Sequence, residues 1–501
     1  MPESLHNFTL QIIVAGIIVF SLSSCFKETF VADQNAVVRV SVDTLTFDTV
    51  FTERGSTTLL FKIYNDYKNR LKINRIFLVK GTSSMFDLNV DGIPGNDIPD
   101  LEIGGGDSMY VFVQVTIDPN QPLSVSPFVI EEQVAIEISD NTQHILLQAW
   151  GQNANYLPNL GHRSKTSLLS CDLASITLDD PKPYVLYGRL VIDSCTLILP
   201  AGTQLYVHGG IGRAQDQEGN TILYNDGSLI FGPEGKLISQ GTFEKPVVIR
   251  GDRLEKEYDE VRGQWNGIIF TKNSIGNTLS YTDIRNANFG VFVDSAASLD
   301  MSESRIFHTA SYGLLSFHPQ FVNMQNCAIY DNGDQSWLGL YGGNFNISYS
   351  TFANFGNDKE AIYLTDYYCP DFPNCLDEIN INAVNAQFVN CIVSGSNKDE
   401  FWIGHVDDSE MNLTLDHCLL KLDEIFKPEN YPDFWSTYTT ESILRTRTDS
   451  LFLDVEHFNY HLDTLSVVEG MAIPIPNITR DLDQNERDAL NPDMGSYEYQ
   501  Y

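Results

Sequence analysis

Basic residues are scarce in this chain of 501 residues, with 31 Lys and Arg against 66 Asp and Glu and a formal net charge of −35. Gripping a phosphate backbone takes a basic surface, so nucleic acid is excluded as a partner. The surplus acid reads as a soluble, self-repelling exterior. Long runs of helical periodicity are equally scarce, and none of the eight cysteines stands in a CxxC metal spacing. The apolar run from Leu10 to Leu22 is too short for a comfortable membrane-spanning helix and reads as a processing signal over residues 1–24. What remains is rich in strands and turns, with 35 Gly and abundant Asn, Asp and Ser. A chain this long exceeds one ordinary core, so two domains are expected.

One short phrase recurs along the second half: Thr282-Asp283-Ile284, Ser304-Arg305-Ile306, Cys327-Ala328-Ile329, Ser350-Thr351-Phe352, Ala386-Gln387-Phe388 and Cys418-Leu419-Leu420. A small residue is followed two positions later by a large apolar one. The intervals between the large residues are 22, 23 and 23, then 36 and 32 where loops would be inserted. A period of this size with two-residue alternation inside it implies coiled strands, one turn per repeat. Thr282, Ser304, Cys327, Ser350 and Ala386 would fit where the bore narrows. Asn286, His308, Asp331, Asn354 and Asn390 form a polar column expected at a turn, which makes His308 a turn residue rather than a base. Gly290, Gly313 and Gly339 stand where the chain must bend sharply.

Before the repeats, residues 37–153 alternate in short strands such as Leu59–Ile63, Tyr110–Val115 and Val134–Ile138, which fits an antiparallel sandwich. The Asn turn at Tyr64-Asn65-Asp66, the Gly-rich turn at Ile103-Gly104-Gly105-Gly106-Asp107 and the terminal Gln148-Ala149-Trp150-Gly151 resemble immunoglobulin-like modules of the ASH and HYDIN type. That resemblance implies a spacer or adhesive unit. Asp87, Asp91, Asp97 and Asp100 have the density of a calcium loop but not its spacing, so they read as a solvated loop. No cofactor is expected, calcium being the one left open, and no metal site is assigned.

Leu22-Ser23-Ser24-Cys25 resembles the lipobox of bacterial lipoproteins, which implies cleavage before Cys25 and its lipidation. The absence of Lys and Arg ahead of the apolar run, and the presence of Glu3, depart from that pattern. The resemblance implies a lipidated tether at 25–36, membrane anchoring and a place on the bacterial outer membrane or cell surface. Among the other cysteines, Cys327 and Cys418 read as core, Cys369 and Cys375 as a local disulfide, and Cys171 with Cys195 as another candidate pair.

Residues 154–180 read as a linker and cap. The Leu197-Ile198-Leu199-Pro200-Ala201-Gly202-Thr203 phrase and Gly263-Gln264-Trp265-Asn266-Gly267-Ile268 then resemble the right-handed parallel β-helix surface lipoproteins of Bacteroidetes type. Toward the end, Asp481 to Arg487 and Pro492-Asp493-Met494-Gly495-Ser496-Tyr497-Glu498 resemble the choice-of-anchor Q signature, which implies a cap over 431–501. The fold class expected is thus all-β, an immunoglobulin-like sandwich followed by a right-handed parallel β-helix over 181–430.

Function is expected on loops that project from this rigid rod. Trp337, Tyr341, Tyr363, Asp366, Tyr367, Trp402 and Asp407 have the character of a sugar platform, with rings to stack on pyranose faces and acids to hold hydroxyls. A membrane-anchored, non-catalytic lipoprotein binding glycan or another surface component is the first reading. A polysaccharide lyase or glycoside hydrolase working in a loop-lined groove is the second. Arg285 and Arg305 are the best basic candidates for a lyase, but they occupy different columns, as do Asp283 and Glu303; Asp366 with Asp407 on the loops stays open as a hydrolase pair, and no nucleophile–His–acid constellation is legible.

Overall fold

Ile284, Ile306, Ile329 and Phe352 are register partners from each strand to the next in the computed structural model, followed by Val393 and Leu420. They stack inside the coil at the inter-strand separation of about 4.8 Å. The structure describes residues 29–51, 56–117, 128–158, 166–169, 171, 174–215, 219–369, 379–406, 410–445 and 450–500. Two compact units divide at Asn153 and Ala154.

The first unit is an immunoglobulin-like sandwich of two five-stranded sheets among the described residues, closing over a core that includes Phe47, Phe61, Ile73, Val111 and Leu147. Its two turn motifs prove to be one joint. The buried Asn65 amide donates to the carbonyls of Ile103 and Gly104, and Gly106 donates back to the Asn65 carbonyl. A Cβ on Gly105 would lie 2.1 Å from the Lys68 carbonyl oxygen, so only glycine fits there. Asp97 and Asp100 pair with Arg75 and Lys72 on the neighbouring strand instead of converging with Asp87 and Asp91.

The second unit is the right-handed parallel β-helix. Its three faces hold eleven, nine and ten parallel strands among the described residues. Residues 154–180 do not cap it: Asn155–Leu157, Thr166–Leu169 and Ser175–Thr177 form the first turn and pair in parallel with the next. Cys171 and Cys195 form a disulfide, with Cα atoms 5.3 Å apart, linking the first two turns. Cys327, Cys391 and Cys418 are buried free thiols, Cys369 is disulfide-bonded to a partner outside the described residues, and Cys375 lies outside them.

One assignment of the repeat changes. Ala386-Gln387-Phe388 belongs to the ten-stranded face, and the true copy is Cys391-Ile392-Val393. Both triplets carry a small residue followed two positions on by a large one, so the phrase alone does not separate adjacent strands of one turn. Asn390 therefore leaves the column of Asn286, His308 and Asp331. It joins Tyr281, Glu303, Asn326, Tyr349 and His417 at a left-handed corner, with φ between 44° and 59°. Gly290 and Gly313 do open strands, but Gly339 lies inside one; the residue matching Gly290 and Gly313 there is Ser336.

Residues 450–500 also depart from the expected cap. The last turn is covered by Leu422, Ile425 and Phe434, whose ring meets Phe401. The segment beyond runs up the outside of the eleven-stranded face as a strap, from Gln484 on the Tyr281 hydroxyl to Gly495 on the Asn390 carbonyl. Outward positions there are apolar (Phe307, Ala328, Tyr330, Ile392, Leu419), and the strap buries them under Tyr460, Met494 and Tyr497. Arg487 pins it, reaching Glu498, the Gly495 carbonyl and Asn326 while lying 3.9 Å over the Tyr349 ring. Asn326 and Tyr349 are successive left-handed corners, so the motif resembling an anchor signature clamps neighbouring turns.

Two outcomes follow. A Cβ at Gly313 would sit 2.4 Å from Ile329 Cγ2, so Gly313→Ala is expected to destabilise the second unit by about 1–3 kcal/mol, read by chemical denaturation. Arg487→Ala leaves Glu498 buried without its cation; a loss of about 3 kcal/mol is expected, with earlier proteolytic release of 450–500.

Candidate functional site

Alternation along the nine-stranded face sends Ile362, Leu364, Phe401 and Ile403 inward and Tyr363 and Trp402 outward. These two are register partners, completing an outward ladder of Phe292, Leu315, Leu338, Tyr363 and Trp402 on successive turns. All five are partly exposed. Gly404 is the reason the last two rungs can broaden. A Cβ there would meet Tyr367 Cε1 at 3.1 Å and the Tyr363 hydroxyl at 3.2 Å, so its bare backbone lets both phenols lie over the strand. Burial, with Tyr367 beside it, pushes the Tyr363 hydroxyl well above the ordinary phenol range.

Beside this shelf is a second aromatic group. Phe317 packs against Tyr341 at 5.4 Å and edge-on against Tyr368 at 5.0 Å, and His318 lies 5.3 Å from Tyr341. Phe317 is two positions beyond Leu315, and so shares its outward face. Tyr341 sits at a left-handed corner with φ of 64°.

Of the residues expected on the platform, Tyr341, Tyr363, Tyr367 and Trp402 are brought to this flank. Trp337 is not. It is fully buried, donates its indole N–H to Ser316 Oγ at 3.0 Å, and packs on Phe345 and Phe388. Its register partners are Leu314 and Ile362, both inward, and one position decides the face. Asp366 is also withdrawn: its carboxylate is fully buried and accepts from the Val406 N–H and His405 Nδ1, so it holds the imidazole rather than a sugar hydroxyl. Asp407 lies outside the described residues. Phe317, His318 and Tyr431 join from outside the expected set; the parity of Phe317 with Leu315 was the available signal. The Tyr431 hydroxyl accepts the His405 N–H at 3.1 Å.

The other basic and acidic candidates lie on the eleven-stranded face. Asp283 and Arg305 are register partners with nitrogen and oxygen 3.4 Å apart. Arg285, although in another column, points outward too, since both neighbours of an inward residue face out. His308 is at a left-handed corner with φ of 53°, its Nδ1 against Asp331, which also takes the Arg262 guanidinium. Burial pushes the Asp331 carboxyl up, but His308 and Arg262 outweigh it and leave it below the ordinary carboxylate range.

No family model and no curated protein matches the chain. Among solved structures, the ASH/PapD-like domain of human CEP192 is similar at 12% identity and a TM-score of 0.17, over 26% of this chain and 97% of that one. The catalytic unit of a GH87 α-1,3-glucanase from Streptomyces thermodiastaticus is similar at 9% identity and a TM-score of 0.21, over 72% of this chain and 79% of that one. A family 123 glycoside hydrolase from Clostridium perfringens covers 38% of this chain and 44% of its own length at 6% identity and a TM-score of 0.18. Likenesses this weak carry no argument about activity.

Because Asp331 is held below its unfolded value, its stabilisation is full above about pH 4 and is lost as pH falls through the folded value. Asp331→Asn is therefore expected to lower the thermal midpoint at pH 7, with the gap to the parent closing below about pH 4 in a pH series.

Proposed function

We propose that this chain is a cell-surface lipoprotein whose β-helix binds glycan without transforming it. Lipid on Cys25 would tether it to the outer membrane, and the sandwich would act as a spacer. The observation that carries the binding role is the outward pair of Tyr363 and Trp402, in register and partly exposed, widened by Tyr367 over Gly404. Aromatic rings held on a rigid sheet present apolar area at little entropic cost, which suits the C–H faces of pyranose rings. Support for the tether is the Leu22–Cys25 phrase alone, which lies outside the described residues.

One contact favours the catalytic alternative. His405 has Nδ1 fixed by the buried Asp366 beside the shelf, the arrangement that orients an imidazole for proton transfer. A lyase or hydrolase reading would assign that imidazole as the base.

The two readings separate on the full chain. Trp402→Ala and Tyr363→Ala are expected to weaken retention in affinity electrophoresis on soluble polysaccharides by about tenfold each, with the β-sheet circular dichroism spectrum retained. Retention unaltered in both variants would overturn the shelf. Release of reducing ends or unsaturated product by the parent, abolished in His405→Ala, would replace the binder reading with the catalytic one.

A further inference from the structure

The outward column of the eleven-stranded face reads Tyr206, Arg250, Arg285, Phe307, Tyr330 on successive turns. Two arginines thus stand next to each other on neighbouring strands of one face, where like charges repel. The chain has few cations to spare, at 31 Lys and Arg in 501 residues. Arg250 is 6% exposed and donates to Asp259 at 2.9 Å and to the Arg253 carbonyl at 3.0 Å. Arg305, diagonally across, has Asp283. Arg285 lies between them with no hydrogen-bond acceptor for its guanidinium among the described residues. Its Nε is buried and unsatisfied, as are those of Arg250 and Arg305, and its guanidinium lies 5.7 Å from the Phe307 ring. Burial and the neighbouring Arg250 cation lower its affinity for its proton, and Asp259 and Asp283, which act on it without a hydrogen bond, offset them only in part. Asp483, at the edge of the strap near Arg305, is taken by His461 at 2.6 Å.

Stability does not gain from such an arrangement on a half-buried face. Replacing Arg285 by an apolar residue would remove the repulsion and keep the stem's contacts. A ligand accounts for it better. We infer that Arg285 anchors an oxyanion site on this face, between the 252–262 loop and the strap, and that its ligand group is a carboxylate. Two carboxylates of the protein already answer two of the three guanidiniums, so one further negative charge completes the set, and a flat carboxylate matches the fork of a guanidinium with two parallel hydrogen bonds. A phosphate monoester would bring excess charge toward Asp283 and Asp259. The carboxylate could be a small free acid or one carried on a sugar. The site lies on a different face from the aromatic shelf and does not depend on it.

The test uses thermal unfolding of the full chain at constant ionic strength, with sodium acetate, sodium glucuronate, glucose and sodium sulfate as probes. Acetate and glucuronate are expected to raise the midpoint of the second unit in a saturable way, while glucose leaves it unmoved and sulfate acts only as a general salt. Arg285→Met is expected to abolish the carboxylate-dependent shift while holding the anion-free midpoint at or above that of the parent; Trp402→Ala is expected to retain the shift. Glucuronate saturating at a tenfold lower concentration than acetate assigns the group to a sugar, and equal saturation assigns it to the bare acid. A parent midpoint indifferent to carboxylates, or a shift that survives in Arg285→Met, would overturn the site. So would a fall in the anion-free midpoint of Arg285→Met, because the guanidinium would then be structural.

Discussion

Vertical register between like strands is the constraint on which the β-helix rests. Each turn buries its inward side chains only by standing on the turn before it, so a residue's environment is set mainly by its copies above and below. This explains why Ile284, Ile306 and Ile329 stand above one another inside the coil, and why hydroxyls and thiols share one inner column. The Thr282 N–H takes Ser304 Oγ and the Cys327 N–H takes Ser350 Oγ, so the column also bonds from turn to turn. A misregistered turn would put apolar positions into water and break those bonds together.

The three outer faces solve the problem of exposure differently. On the ten-stranded face an amide ladder runs outward, from Asn323 to Asp300 and from Asn346 to Asn323, with a parallel one through Asn344, Asn385 and Asn412. The eleven-stranded face is apolar over its later turns and is closed by the strap. The nine-stranded face carries an apolar and aromatic ladder that the described residues leave partly open, and there the functional reading settles. Polar, covered and partly open faces thus stand side by side on one rod.

Much of the architecture was legible in advance because a 22- to 23-residue period with internal alternation has few alternatives. Errors arose where the period broke. The insertion between Phe352 and Val393 lengthened one interval to 41 residues, and a small-then-large triplet on an adjacent strand, Ala386 to Phe388, imitated the missing copy. The polar column read at the turns does not supply an amide ladder throughout: Asn286 bonds to backbone of the 252–262 loop and Asn354 to the Lys359 carbonyl. For the shelf, composition pointed to the right stretch and parity sorted its members. Trp402 faces out and Trp337 in, although both stand on strands of one face.

From composition and periodicity alone come the all-β class, the two units, the coil and the aromatic-rich flank, because each depends on patterns local in sequence. Only tertiary structure decided that Asp366 is spent on His405, that the C-terminal motif straps the side of the rod rather than closing its end, and that Arg250 and Arg285 stand as neighbours on successive strands. The reason is physical. Those facts concern side chains some 35 to 200 positions apart that meet across turns, and a pattern of one residue's neighbours along the chain carries no record of what stands a single strand above it.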